Sequence, residues 1–113
     1  MTTIGEMQAI VHDLAVSKGW WDGTPHGDIG VIPERLCLIR SEVSEALECY
    51  RTCDISTRLD ASGKPEGLPS ELADVVIRVM DLCGNLGIDL QAEIERKHAY
   101  NRTRAYRHGG KRC

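Results

Sequence analysis

Four carboxylates recur at one-turn helical spacing in two separate stretches. Glu42 and Glu45 lie in "IRSEVSEALECYR", and Glu71 and Asp74 lie in "SELADVV". Acids three apart present their oxygens side by side on one helix face. Such pairs can exchange a proton, hold a hard cation or simply face water. Their position relative to the apolar residues bears on which. A helix turns about 100° per residue, so Leu36, Ile39, Val43, Ala46 and Tyr50 form one stripe. From Ile39, Glu48 falls about 180° away, on the side that should meet water. Glu42 and Glu45 fall at about −60° and −120°, on a flank shared with Leu38 and Cys49. That flank is either a boundary or a second buried face containing two acids.

The second pair sits on a segment that is apolar around most of its circumference: Leu72, Ala73, Val75, Val76, Ile77, Val79, Met80, Leu82 and Cys83. Glu71, Asp74, Arg78 and Asp81 share a strip about 80° wide. A helix apolar nearly all round is expected to be buried, so the strip can face a wet slot rather than open solvent. If it faces Glu42 and Glu45, four acids converge, and they must bind protons or a cation. All-oxygen acidic sites suit Mg²⁺, and also Mn²⁺. A solvated polar strip is the plainer alternative.

The elements that must position these residues are helical. Thr3-Ile4-Gly5-Glu6 has capping-box form, and Ile4, Met7, Ile10, Val11 and Leu14 follow at helical spacing, predicting a helix to Lys18 and Gly19. "GWWDGTPHGDIG" reads as a loop, and Pro33 suits the first turn of a second helix running to Thr52. Residues 52–69 form a long polar connection without periodicity. A third helix is expected from Pro69 and Ser70 to Gly87, with Gly84 weakening its last turn. Asp89 can cap a fourth, "LQAEIERKHAYNRTR". No segment alternates with strand period. The expectation is one all-α domain over 1–113, a four-helix bundle ending in a basic tail at 105–113.

Composition narrows the function classes. The 113 residues, 42% hydrophobic and 27% charged, fit one small domain whose modest core invites self-association. No apolar run approaches membrane-spanning length. Five cysteines without a C-x-x-C, and no signal peptide, point to reduced thiols and a cytoplasmic protein. Cys49 and Cys53 are one turn apart, but no second pair completes a zinc site. The net charge of −3 hides a basic end in "RTRAYRHGGKRC" on an acidic body.

Together, Glu42-x-x-Glu45, Glu71-x-x-Asp74 within "SELADVVIRV", and Lys97-x-x-x-Asn101 within "GIDLQAEIERKHAYNRTRAYRHGGK" resemble the MazG-like all-α nucleoside triphosphate pyrophosphohydrolases. The likeness covers most of residues 33–111 and weakens over the first helix. It implies hydrolysis of a nucleoside triphosphate, a dNTP in particular, to the monophosphate and pyrophosphate. It implies Mg²⁺ on Glu42, Glu45, Glu71 and Asp74, phosphate or sugar contacts from Lys97 and Asn101, and assembly as dimers or dimers of dimers. Physical reasoning agrees. A carboxylate not fully engaged by metal can serve as general base, and Glu45 is the candidate. Arg104, one turn beyond Asn101, can add a forked donor to the point charge of Lys97. Trp20 or Trp21 can stack on a base or pack on the bundle end. Arg78 can reach the sugar or base, or pair with Asp74 or Asp81. His12 reads as a partly buried helix histidine.

Two other classes compete. Glu95-x-x-His98 has the form of a di-iron ligand pair, but the second such pair is missing. A non-enzymatic helical dimer could bind nucleic acid or a protein through the basic tail. Against nucleic acid stand an acidic body and the lack of any basic helix face with stacking aromatics.

Overall fold

The computed structural model describes residues 1–112, so Cys113, counted above among the reduced thiols, lies outside the described residues. Four main helices carry the fold: α1 (Ile4–Ser17), α2 (Ile32–Arg51), α3 (Leu68–Leu86) and α4 (Leu90–Arg102). A 3-10 turn, Ile29–Val31, leads into α2, and α5 (Arg107–Gly110) is one irregular turn with left-handed residues inside it. The all-α expectation holds at this coarse level. No helix among the described residues is long and apolar enough to cross a membrane.

The helix ends follow from local chemistry. Thr3 Oγ1 accepts from the Glu6 amide at 3.0 Å and lies 3.0 Å from Glu6 Oε1, to which it donates. This satisfies an orphan donor at the start of α1. Pro33 occupies the first turn of α2, where its missing N–H costs nothing. Asp89 accepts from the Ala92 amide at 3.0 Å and starts α4. Gly87 ends α3 in the left-handed conformation, φ 69°.

One element was not expected. Within the polar connection, β1 (Arg58–Leu59) pairs antiparallel with β2 (Pro65–Glu66). The turn is tied by Asp60, whose Oδ1 accepts from the amides of Ser62 and Lys64. Two pairs are too short to show a period of two, and a side-chain-to-backbone turn holds them instead. Asp54 anchors the hairpin at its base: its carboxylate takes two hydrogen bonds from Arg58, and its carbonyl accepts from Leu68 N at 2.9 Å. The end of α2 is thereby fastened to the start of α3.

Helix α3 is the centre of the fold, with α1 packed on one side and α2 on another, while α4 packs on α1. Gly84 sets the closeness of α1, because a Cβ there would fall 2.6 Å from His12 Cγ. The expected weak point in α3 is thus a contact point. Buried apolar residues are few: Trp21, Ala46, Met80, Leu82 and Cys83. The expectation that α3 is enclosed is corrected within a single chain, since Leu72 and Val76 are about half exposed. The α2 stripe is likewise uncovered at Leu36, Val43 and Tyr50.

Candidate metal centre and adjoining cleft

Antiparallel packing of α2 on α3 sets the two acidic pairs against each other. One oxygen from each of Glu42, Glu45 and Glu71 lies within 4.8 Å of the other two. Glu42 is 7% exposed, so the flank at this residue is a buried face containing an acid; Glu45 stands at the open edge. Asp74 does not join that group of three. It lines the neighbouring cleft together with Glu42.

Electrostatics divides these acids. Burial opposes ionisation of Glu42, but hydrogen bonds from Arg78 and Glu45 and the charge of Arg78 outweigh it, so its carboxyl sits below the usual range. Burial, then the hydrogen bond and charge of Glu45, then the charges of Asp74 and Glu42, push Glu71 up to about 7. Burial and the charge of Glu42 also raise Asp74, partly offset by Arg78 and Lys64. Glu71 Oε2 is buried with no hydrogen-bond partner. An orphaned oxygen among crowded acids can take a proton or a hard cation, so the donor set fits Mg²⁺ or Mn²⁺. Among the described residues no other group of His, Cys, Asp and Glu has this closeness, the Cys49–Cys53 pair included.

A cleft of about 430 Å³ opens beside the acids, between α1 and α2 over α3. Val11, Leu14, Ala15, Leu38 and Ile77 give it apolar walls. Trp20, Lys18, Arg35 and Arg78 bring an aromatic face and three cations, with Glu42 and Asp74 at its acidic part. Pockets of this size and character, apolar with a few convergent polar groups, hold small ligands.

The candidates from the sequence separate in space. Arg78 pairs with neither Asp74 nor Asp81; its Nε donates to Glu42 Oε1 at 2.7 Å. Trp20 is exposed and lines the cleft. Trp21 does not offer a face to a base: it is 5% exposed, the Arg35 guanidinium lies 3.9 Å over its ring, and Nε1 donates to Asp81 Oδ1 at 2.9 Å. His12 Nδ1 meets the same Asp81 oxygen at 2.8 Å, as a part-buried histidine should. The phosphate or sugar contacts expected of Lys97 and Asn101 have no counterpart in the cleft of a single chain. Lys97, Asn101 and Arg104 are exposed, and none lines the cleft. Arg104 lies past the end of α4, because the helix stops at Arg102 and the chain turns at Thr103. Glu95 and His98 are exposed on the same arm.

Sequence reasoning missed Lys18 and Arg35. Lys18 sits at the α1 C-terminus and Arg35 in the first turn of α2, positions where a cation and a solvated charge are ordinary. Only the meeting of three helices makes them cleft residues. Compared with protein-family models, curated proteins and solved structures, the chain matches none.

Proposed function

We propose that the chain is a metal-dependent nucleoside triphosphate pyrophosphohydrolase of the MazG-like kind, releasing pyrophosphate and a nucleoside monophosphate, with a dNTP as the leading substrate. The observation that carries this reading is the convergence of Glu42, Glu45 and Glu71 at the edge of a nucleoside-sized cleft. Glu42, Glu45 and Glu71, with Asp74 beside them, would hold Mg²⁺. When bound, such an ion neutralises phosphate charge and lowers the pKa of a water.

The chain's own residues supply the rest. Glu45, at the open edge, is placed to take a proton from an attacking water. The apolar walls and Trp20 exclude water from the nucleoside and offer it a stacking surface. Lys18 places a cation on the cleft wall, in a position to meet an anionic ligand. The half-exposed apolar side chains of α2 and α3 support assembly into dimers or dimers of dimers.

Product analysis over a panel of NTPs and dNTPs, with Mg²⁺ and with EDTA, tests the reading. Pyrophosphate and monophosphate released only with Mg²⁺ is the expected result. Release of inorganic phosphate, or turnover that survives EDTA, overturns it.

A further inference from the structure

Arg78 sits where a cation is needed most. Its Nε lies 2.7 Å from Glu42 Oε1, and its side chain, 39% exposed, belongs to the wall of the cleft. The Glu42 side chain is only 10% exposed. A carboxylate so buried, with Glu45 and Glu71 crowded on it, requires a counter-charge. Arg78 is the only Lys or Arg in ion-pair contact with the three acids among the described residues. On the reading just proposed, the same carboxylate must also accept a divalent ion.

Two cations on one buried carboxylate repel each other, so arrival of the second weakens the first. Once loosened, the guanidinium has two carboxylates one turn away on its own helix, and Asp74 is among the acids that would hold the metal. Asp81 Oδ1, one turn along, already receives Trp21 Nε1 and His12. The open direction is the apolar side of the cleft, where Val11, Leu14, Ala15, Leu38 and Ile77 leave room for a ligand and offer no side-chain acceptor.

We propose that Arg78 is an exchangeable counter-ion: it holds Glu42 until a divalent metal takes that carboxylate, and then turns into the cleft to hydrogen-bond the nucleoside part of the substrate. This inference rests on the metal-dependent reading above. It makes Arg78 a specificity-determining residue whose engagement is conditional on metal. A fixed ion pair would leave the nucleoside contact independent of metal. Because linkage is reciprocal, removing Arg78 should help metal and hurt the nucleoside.

The test measures Mn²⁺ affinity by electron paramagnetic resonance in the wild type, Arg78→Gln and Arg78→Lys, with circular dichroism to verify folding. The expected result is Mn²⁺ binding roughly five- to tenfold tighter in Arg78→Gln, in the usual range of site–site coupling, with Arg78→Lys in between. In the presence of Mn²⁺, Arg78→Gln should weaken α,β-imido-dUTP and leave tripolyphosphate, which has no nucleoside, unchanged. Unchanged or weaker Mn²⁺ binding in folded Arg78→Gln overturns the exchange, and equal loss of both phosphate ligands overturns the nucleoside contact. Should Arg78→Gln not fold, the ¹⁵N-detected Nε–H of Arg78 in the wild type decides. It must shift on titration with Mg²⁺ alone, and a signal that stays in place overturns the proposal. Absence of Mn²⁺ binding in the folded wild type is a different failure, that of the metal reading itself.

Discussion

Helix α3 carries two acidic clusters on one strip, centred on Glu71 and Asp81 nearly three turns apart, and they are opposites. Around Asp81 the ring donors are matched: Trp21 Nε1 and His12 Nδ1 meet one oxygen, while Arg35 covers the Trp21 ring with its own Nε unpaired. Around Glu71 the acids outnumber the donors, one oxygen is orphaned, and Arg78 is committed to Glu42. The first cluster contributes stability by satisfying buried polar groups. The second costs stability unless something arrives from outside. What separates the two is the surplus of acid around Glu71, which only a proton or a cation can offset.

The largest effect that would sharpen this contrast is on turnover. Glu71→Gln removes a crowded charge, so the fold should be kept while pyrophosphate release drops by at least about a hundredfold, the scale of losing one key electrostatic group. Retained activity would erase the functional half of the comparison. Asp81→Ala should behave in the opposite way. It leaves the Trp21 and His12 nitrogens without a partner, costing about 1–3 kcal/mol in urea unfolding. Mn²⁺ affinity should stay at the wild-type value, and a large loss of it would merge the two clusters into one.

A smaller effect follows from the raised carboxyl of Glu71. Its folded pKa of about 7 exceeds the ordinary 4.5, so the folded form binds this proton more tightly than the unfolded form. That contribution is fully present below about 4.5 and is lost as pH rises through 7. Without metal, stability should therefore fall by roughly 1 kcal/mol between about pH 5 and pH 8, allowing for partial solvent screening. Mg²⁺ should raise the melting temperature more at pH 8 than at pH 6, where protons compete for the same oxygens. A Mg²⁺ effect independent of pH would argue against Glu71 as a ligand. The smallest effect belongs to the exposed arm: deleting residues 105–113 should change stability by no more than about 0.5 kcal/mol. A larger change in thermal unfolding would show that the tail packs on the bundle.

The legibility of the chain divides along similar lines. Thr3, Pro33, Gly87 and Asp89 act within one turn of themselves, so the helix starts and stops they dictate could be read from neighbours alone. The hairpin could not, because Asp60 closes it with a side chain and two residue pairs carry no pattern. The four acids were visible as two spaced pairs on the margins of apolar stripes. Their partners were not: Arg78 had Asp74 and Asp81 at helical spacing, yet it took Glu42 across the helix interface. Likewise nothing in "GWW" distinguishes the tryptophan that is buried on Asp81 from the one left at the cleft mouth.

What the sequence determined by itself was the helical frame, the side of each helix that carries acid, and the chemistry those acids could support. Periodicity and capping are short-range, and each residue type brings its own charge. Tertiary structure decided which charges are neutralised and which remain in want of a cation. It joined Lys18, Arg35 and Arg78 to one cleft and left Lys97, Asn101 and Arg104 on an exposed arm. The reason is physical: the cost of a buried charge depends on everything within a few ångströms, and those neighbours come from distant parts of the chain.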